Sequence, residues 1–178
     1  PQISLLLLSD HGMAEVDPET FIDTNDLPRP QGFKRMNGST RVTYYQRDPQ
    51  ADLTALAREL DELADGRFWR VAPDTLAERH FVDHPAVGQI IVETAPPRVF
   101  RHGGGTPADL RGMHGYPDDV EAMAAFLVAV GPGFHSGLVI PEAHQLDVYP
   151  VAARLLALKA PVDLASDGGR LVRALREQ

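Results

Sequence analysis

The run ISLLLL at residues 3–8 constrains the fold more than any other stretch. It is too short for an ordinary helix and lacks the alternation of a half-exposed strand. Such a run predicts a strand buried on both faces, as in a parallel sheet covered by helices. FLVAV at 126–130 is a second run of this kind, closed by Gly131-Pro132-Gly133. Between the two, RVTYYQ at Arg41–Gln46 is β-branched and aromatic and reads as a strand. Asp48-Pro49 then predicts a cap and a first helical residue. Leu53, Leu56, Ala57, Leu60, Leu63 and Ala64 follow at helical spacing, with Gly66 placed to end the helix. Residues 68–71 and 88–93 read as strands and 73–79 as a short helix. Residues 28–38, rich in Pro, Gly and Asn, read as a loop. Asp147 and Ser166 are placed to cap two further helices. The fold class expected is α/β. Residues 1–40 and 95–178 form part of a larger mixed sheet with helices, and 41–94 an inserted α+β subdomain with its own sheet.

Composition narrows the function. With 178 residues the chain can bury one sizeable core. A formal charge of −8 argues against a nucleic-acid polymer as partner, because phosphate backbones are met by clustered Lys and Arg. A small phosphate substrate stays possible where bound cations supply the positive charge. The chain has no cysteine, which removes disulfides, thiolate metal sites and a cysteine nucleophile. No apolar run reaches the length of a membrane-spanning helix, and no signal peptide is visible.

The first apolar run ends on Ser9-Asp10-His11-Gly12-Met13. Ligands of open α/β sheets bind beyond the carboxyl ends of the strands. Asp10 and His11 together offer a hard oxygen and a borderline nitrogen, a combination suited to zinc. Neighbouring strand residues point to opposite faces, so both reach one ion only if the backbone turns, which Gly12 permits. The plainer reading makes Asp10 a turn cap and His11 a surface residue. A second cluster, GMHGYPDD at 112–119, sets His114 between Gly112 and Gly115 in a glycine-rich stretch that includes Gly103-Gly104-Gly105. Taken alone, His114 reads as a solvated loop histidine. A serine-hydrolase triad is disfavoured, because Ser9, Asp10 and His11 are consecutive. His80, His84, His102, His135 and His144 carry no assigned role. Tyr44, Tyr45, Phe68 and Trp69 read as core.

SDHGM, then HGY, then FLVAVGPGF and DVYPVAARLLAL together resemble the C-terminal half of the nucleotide pyrophosphatase/phosphodiesterase family, within the alkaline phosphatase superfamily. The resemblance covers residues 1–18 and 112–160. DHPAVGQIIVE at 83–93 is similar to a strand entry of the family, and residues 19–80 match nothing diagnostic. The resemblance implies that Asp10 and His11 bind the zinc that also holds a threonine nucleophile, and that His114 binds a second zinc. Two zincs would clamp the attacking and leaving oxygens of an in-line phosphoryl displacement. The family continues His-Gly-Tyr with Asp-Asn, whereas Pro117 intervenes here before Asp118 and Asp119.

These readings imply a zinc-dependent hydrolase of phosphodiester or pyrophosphate bonds in nucleotides or related small molecules. Its nucleophile and its other metal ligands would lie in an N-terminal portion absent from this sequence. The chain alone is then expected to be inactive. The alternatives are a phosphomonoesterase or another hydrolase of the superfamily, and a non-catalytic α/β domain whose residues 41–94 bind a partner. Family resemblance also implies a periplasmic or extracellular location.

Overall fold

The computed structural model describes residues 3–81, 84–103 and 109–176. In chain order the strands are β1 (Leu5–Leu8), β2 (Ala14–Glu15), β3 (Ile22–Asp23), β4 (Phe33–Asn37), β5 (Arg41–Gln46), β6 (Trp69–Arg70), β7 (Ile90–Glu93), β8 (Phe100–Arg101), β9 (Gly112–Met113) and β10 (Leu127–Val130). The α-helices are α1 (Leu53–Ala64), α2 (Pro73–Glu78) and α3 (Val148–Leu155). The chain groups into two compact units, residues 11–124 and residues 1–10 with 125–178.

The 11–124 unit is built on a four-stranded sheet in the order β4-β5-β7-β6, with β4–β5, β5–β7 and β6–β7 all antiparallel. β4 corrects the sequence reading, which places a loop at 28–38. A Gly38–Arg41 turn, closed by the Gly38 N–H donating to the Arg41 carbonyl at 2.8 Å, folds β4 back on β5. An edge strand bonds on one side only, so it tolerates the Lys34 and Arg35 that masked it. From Arg41 to Glu93 the elements run strand, helix, strand, helix, strand. α1 starts later than Asp48-Pro49 suggests. Its cap is Asp52, whose Oδ1 accepts from the Ala55 N–H at 2.9 Å, while Asp48 organises a preceding turn. Leu56 and Leu60 point from α1 onto the sheet, where Val42, Tyr44, Ile90, Val92, Phe68 and Phe100 complete one core. Arg70 holds Asp61 of α1 through two hydrogen bonds of 2.6 Å, keeping that carboxyl below the usual carboxylate range. β7 is buried throughout, and its Glu93 carboxylate is met by Arg41 and Arg79.

In the other unit β1 and β10 pair antiparallel, Leu5 opposite Val130 and Leu8 opposite Leu127. This corrects two expectations, since residues 3–8 and 126–130 suggest strands buried on both faces of a parallel sheet. An apolar run carries no information on pairing direction. Here Leu6, Leu127 and Ala129 pack against Phe134, Val151 and Leu171, whereas Leu5, Leu7, Val128 and Val130 are exposed. α3 follows a 3₁₀ turn capped by His144, whose Nδ1 accepts from the Leu146 N–H. The buried Asp147 carboxylate accepts from the His144 N–H and from the Ser166 hydroxyl. The last apolar segment forms a 3₁₀ helix at Gly169–Ala174, preceded by Gly168 in the left-handed region.

Candidate active site

The 11–124 unit brings two of the three candidate residues together, although they lie 103 positions apart. β2 pairs antiparallel with β9, Ala14 opposite Met113 and Glu15 opposite Gly112. The Val16 N–H extends the ladder to the Arg111 carbonyl at 3.0 Å. His11 lies just before β2 and His114 just after β9, so the ladder delivers both rings to one end. Their imidazoles stack with centroids 3.9 Å apart and planes inclined by 10°. His11 is half-buried and His114 exposed.

Each histidine is held by its glycine. Gly12 donates its N–H to the Met123 carbonyl at 3.0 Å, and a Cβ built on it would lie 2.1 Å from the Ala122 carbonyl oxygen. Only glycine lets these backbones approach so closely. Its own carbonyl lies 2.8 Å from His11 Nδ1. A carbonyl can only accept, so Nδ1 is the donor in this contact, and in a neutral ring the lone pair then falls on Nε2. On the other side Gly115 has φ +86°, a conformation that favours glycine, and its carbonyl accepts from the Thr40 hydroxyl at 2.6 Å. Tyr116 is buried and donates to the Arg98 carbonyl at 2.7 Å. Burial pushes its phenol up to about 12. Thr40 and Arg98 escape a reading of the sequence, because their contacts with the His-Gly-Tyr segment arise only in the fold.

Asp10 is the last residue of the other unit's first segment. It is exposed, and its backbone carbonyl accepts from Gln145 Nε2 at 3.2 Å. Asp118 is also exposed, with its carboxylate 3.8 Å from Arg79 Nε. Gly104 and Gly105 of the glycine run lie outside the described residues, as does Asp83 of the 83–93 motif. The donor chemistry of the histidine pair fits a borderline cation such as zinc. Among the described residues no three His, Asp or Glu side chains gather closely enough to hold a metal by themselves.

Residues 2–117 match the family described as type I phosphodiesterase/nucleotide pyrophosphatase, well over half of the sequence. The chain belongs to that family. It is thereby a nucleotide pyrophosphatase/phosphodiesterase domain of the alkaline phosphatase superfamily. The bis(5'-adenosyl)-triphosphatase of Xenopus laevis is 20% identical over 156 residues, which cover 88% of this chain and 33% of the relative. The human bis(5'-adenosyl)-triphosphatase is 40% identical over 48 residues, 27% of this chain and 11% of that protein. Murine ectonucleotide pyrophosphatase/phosphodiesterase 5 has the same fold, with a TM-score of 0.79 at 18% identity, covering 96% of this chain and 45% of that one. An inactive variant of the murine protein in complex with AMP gives a TM-score of 0.76 at 19% identity, with the same coverage. The match to this phosphodiesterase-family chain covers a third of the Xenopus relative and 45% of the murine one, so the chain spans less than half the length of either.

Proposed function

We propose that the protein carrying this chain hydrolyses phosphodiester or pyrophosphate bonds of nucleotides or related small molecules at a two-zinc centre. Asp10 and His11 would hold one ion and His114 the other. The stacked His11–His114 pair, assembled by the β2–β9 ladder, is the observation that carries this reading. Family membership supports the reaction class, and the murine relative's complex with AMP supports a nucleotide-type substrate. Bound zinc would act as a Lewis acid on the phosphoryl oxygens and lower the pKa of a bound hydroxyl.

The chain's own residues orient the donors. The Gly12 carbonyl beside His11 Nδ1 favours the tautomer in which Nε2 would be the ligating nitrogen, the arrangement in which a backbone acceptor orients a metal-bound imidazole. Thr40 and Tyr116 anchor the two residues that follow His114 and so fix the backbone from which its ring projects. A threonine nucleophile would come from outside residues 1–178, as would the remaining ligands. A catalytic zinc takes about three protein ligands and a water, and Asp10, His11 and His114 fall short of that for two ions. The murine relative that is inactive carries a threonine-to-alanine substitution, which agrees with this assignment. The chain's similarity to ectonucleotide pyrophosphatase/phosphodiesterases supports a periplasmic or extracellular location.

The test is turnover of a nitrophenyl nucleotide ester by the purified chain, with and without added zinc. No turnover and weak zinc binding are expected. Turnover that survives dialysis against a chelator would refute the two-zinc reading. Zinc-dependent turnover lost in His114→Ala would keep the metal assignment and remove the need for an external nucleophile.

A further inference from the structure

A charged side chain occupies a core-facing position of the four-stranded sheet. Side chains two apart on a strand share a face, so Phe33, Arg35 and Asn37 of β4 lie together. Arg35 sits directly opposite Tyr44 of β5, which is fully buried in the core, and Phe33 packs against that core. An arginine there breaks the apolar pattern of the face, and such breaks occur where a protein has a use for them. Beside it opens a cavity of about 210 Å³, lined by Arg29, Pro30, Phe33, Arg35, Asn37 and Tyr44.

The two guanidiniums are positioned by neutral groups. Arg35 NH1 donates to the Leu27 carbonyl at 2.8 Å, and Arg29 NH2 to Asn25 Oδ1 at 3.1 Å. Among the described residues no carboxylate lies within ion-pair distance of either arginine. Tyr44 donates to the Pro28 carbonyl at 3.1 Å. Its phenol is raised by burial, while Arg35 and Arg29 oppose that rise and Glu59 adds to it, so both guanidiniums act on the cavity floor. In a chain of net charge −8, these two guanidiniums, neither in an ion pair among the described residues, give the concavity a local positive charge that an anion can meet through charge-assisted hydrogen bonds. Guanidiniums present planar forks that match phosphate oxygens.

We propose that this cavity binds a phosphate dianion between Arg35 and Arg29, with the Asn37 amide as a further donor. The site is separate from the histidine pair. The ligand is orthophosphate itself or the phosphate of a nucleoside monophosphate. The competing role for Arg35 is to guard the edge strand, since inward-pointing charges discourage edge-to-edge pairing.

The experiment titrates orthophosphate into the full chain at low salt with EDTA present, followed by calorimetry and by the NMR signals of the arginine Nε–H groups and the asparagine side-chain amides. Saturable binding is expected, with shifts confined to Arg29, Arg35 and Asn37 and weakened by sodium chloride. Arg29→Gln, at an exposed position, should weaken binding about tenfold without moving the melting temperature. Arg35→Gln should weaken it at least as much, and His114→Ala should leave it unchanged. In a second arm, AMP binding with the same shifts while adenosine gives none assigns the ligand to nucleotides. Binding of orthophosphate alone assigns it to the free ion, and either result supports the site. Non-saturable shifts, equal shifts with acetate, or binding lost in His114→Ala would overturn it. So would aggregation of Arg35→Gln while Arg29→Gln binds phosphate normally, which would leave the edge-guarding role.

Discussion

Gly12 has no room for a side chain, and that decides how tightly His11 is held. Gly12→Ala would drive a methyl group into the Ala122 and Ala124 carbonyls. A loss of about 2–4 kcal/mol is expected in urea unfolding, with loss of the ring-to-ring nuclear Overhauser contacts between His11 and His114. Tyr116 makes a second prediction. Its folded pKa of about 12 lies above the ordinary value of 10, so the folded state holds its proton more tightly. Its contribution is present in full below pH 10 and is lost as pH rises through 12, amounting to about 2–3 kcal/mol. Tyr116→Phe should reduce the alkaline fall in stability across that window without abolishing it, because Tyr44 is also raised. At this scale the sequence marks Asp10, His11 and His114 as unlike their surroundings, and the fold brings the two histidines of that set into contact. The sequence is silent on Thr40 and Arg98, whose partners lie 75 and 18 positions away. Neither residue belongs to a motif.

At the scale of elements, periodicity was a good guide wherever one face is buried. α1 shows its apolar stripe plainly, and Leu60 at its centre is fully buried. Leu60→Ala should cost about 2–5 kcal/mol in urea unfolding, the range for a large-to-small change in a packed core. The helix starts four residues later than Asp48-Pro49 suggests, because Asp48 and Asp52 are both acceptable caps and the chain forms an extra turn before using the second. β4 was hidden by its polar composition, since an edge strand need not read as apolar. β7 poses a different problem, for it carries Glu93 at 1% exposure in an otherwise apolar run. Arg41 Nε lies 2.8 Å and Arg79 NH1 2.9 Å from its oxygens, and the carboxylate holds the Arg79 guanidinium above its usual range. Glu93→Gln removes the charge that both arginines share. It should destabilise the chain by about 2–4 kcal/mol, checked by denaturant titration at two salt concentrations.

For the whole molecule, stability is expected to be uneven. The core around α1 and the four-stranded sheet is continuous, while β1 and β10 form a two-stranded ribbon with one apolar face in solvent. Ribbons of two strands are marginal without further cover. Hydrogen exchange should therefore be slowest at Val42, Ile91 and Val92 and fastest among the strand residues at Leu5–Leu8. Equal protection in the two sets would contradict this. The overall class was legible because the apolar runs and the two histidine motifs fall in a fixed order along the chain. The direction of the β1–β10 pairing was not, since it depends on how the chain returns between the two strands rather than on their residues.

The short ladder between β2 and β9 has a consequence for how such a chain can diverge. The polypeptide leaves the ladder at Val16 and comes back to it at Arg111, so everything between is a closed excursion from a fixed point. Closing a flexible excursion costs little more when it lengthens, only about 0.6 kcal/mol per doubling. Insertions and deletions in that excursion leave the meeting of the two imidazoles nearly untouched. A lobe of different length could be grafted onto the same two pairs of residues, provided the graft keeps a hydroxyl where Thr40 braces Gly115. The histidine pair and the lobe are therefore free to evolve at different speeds.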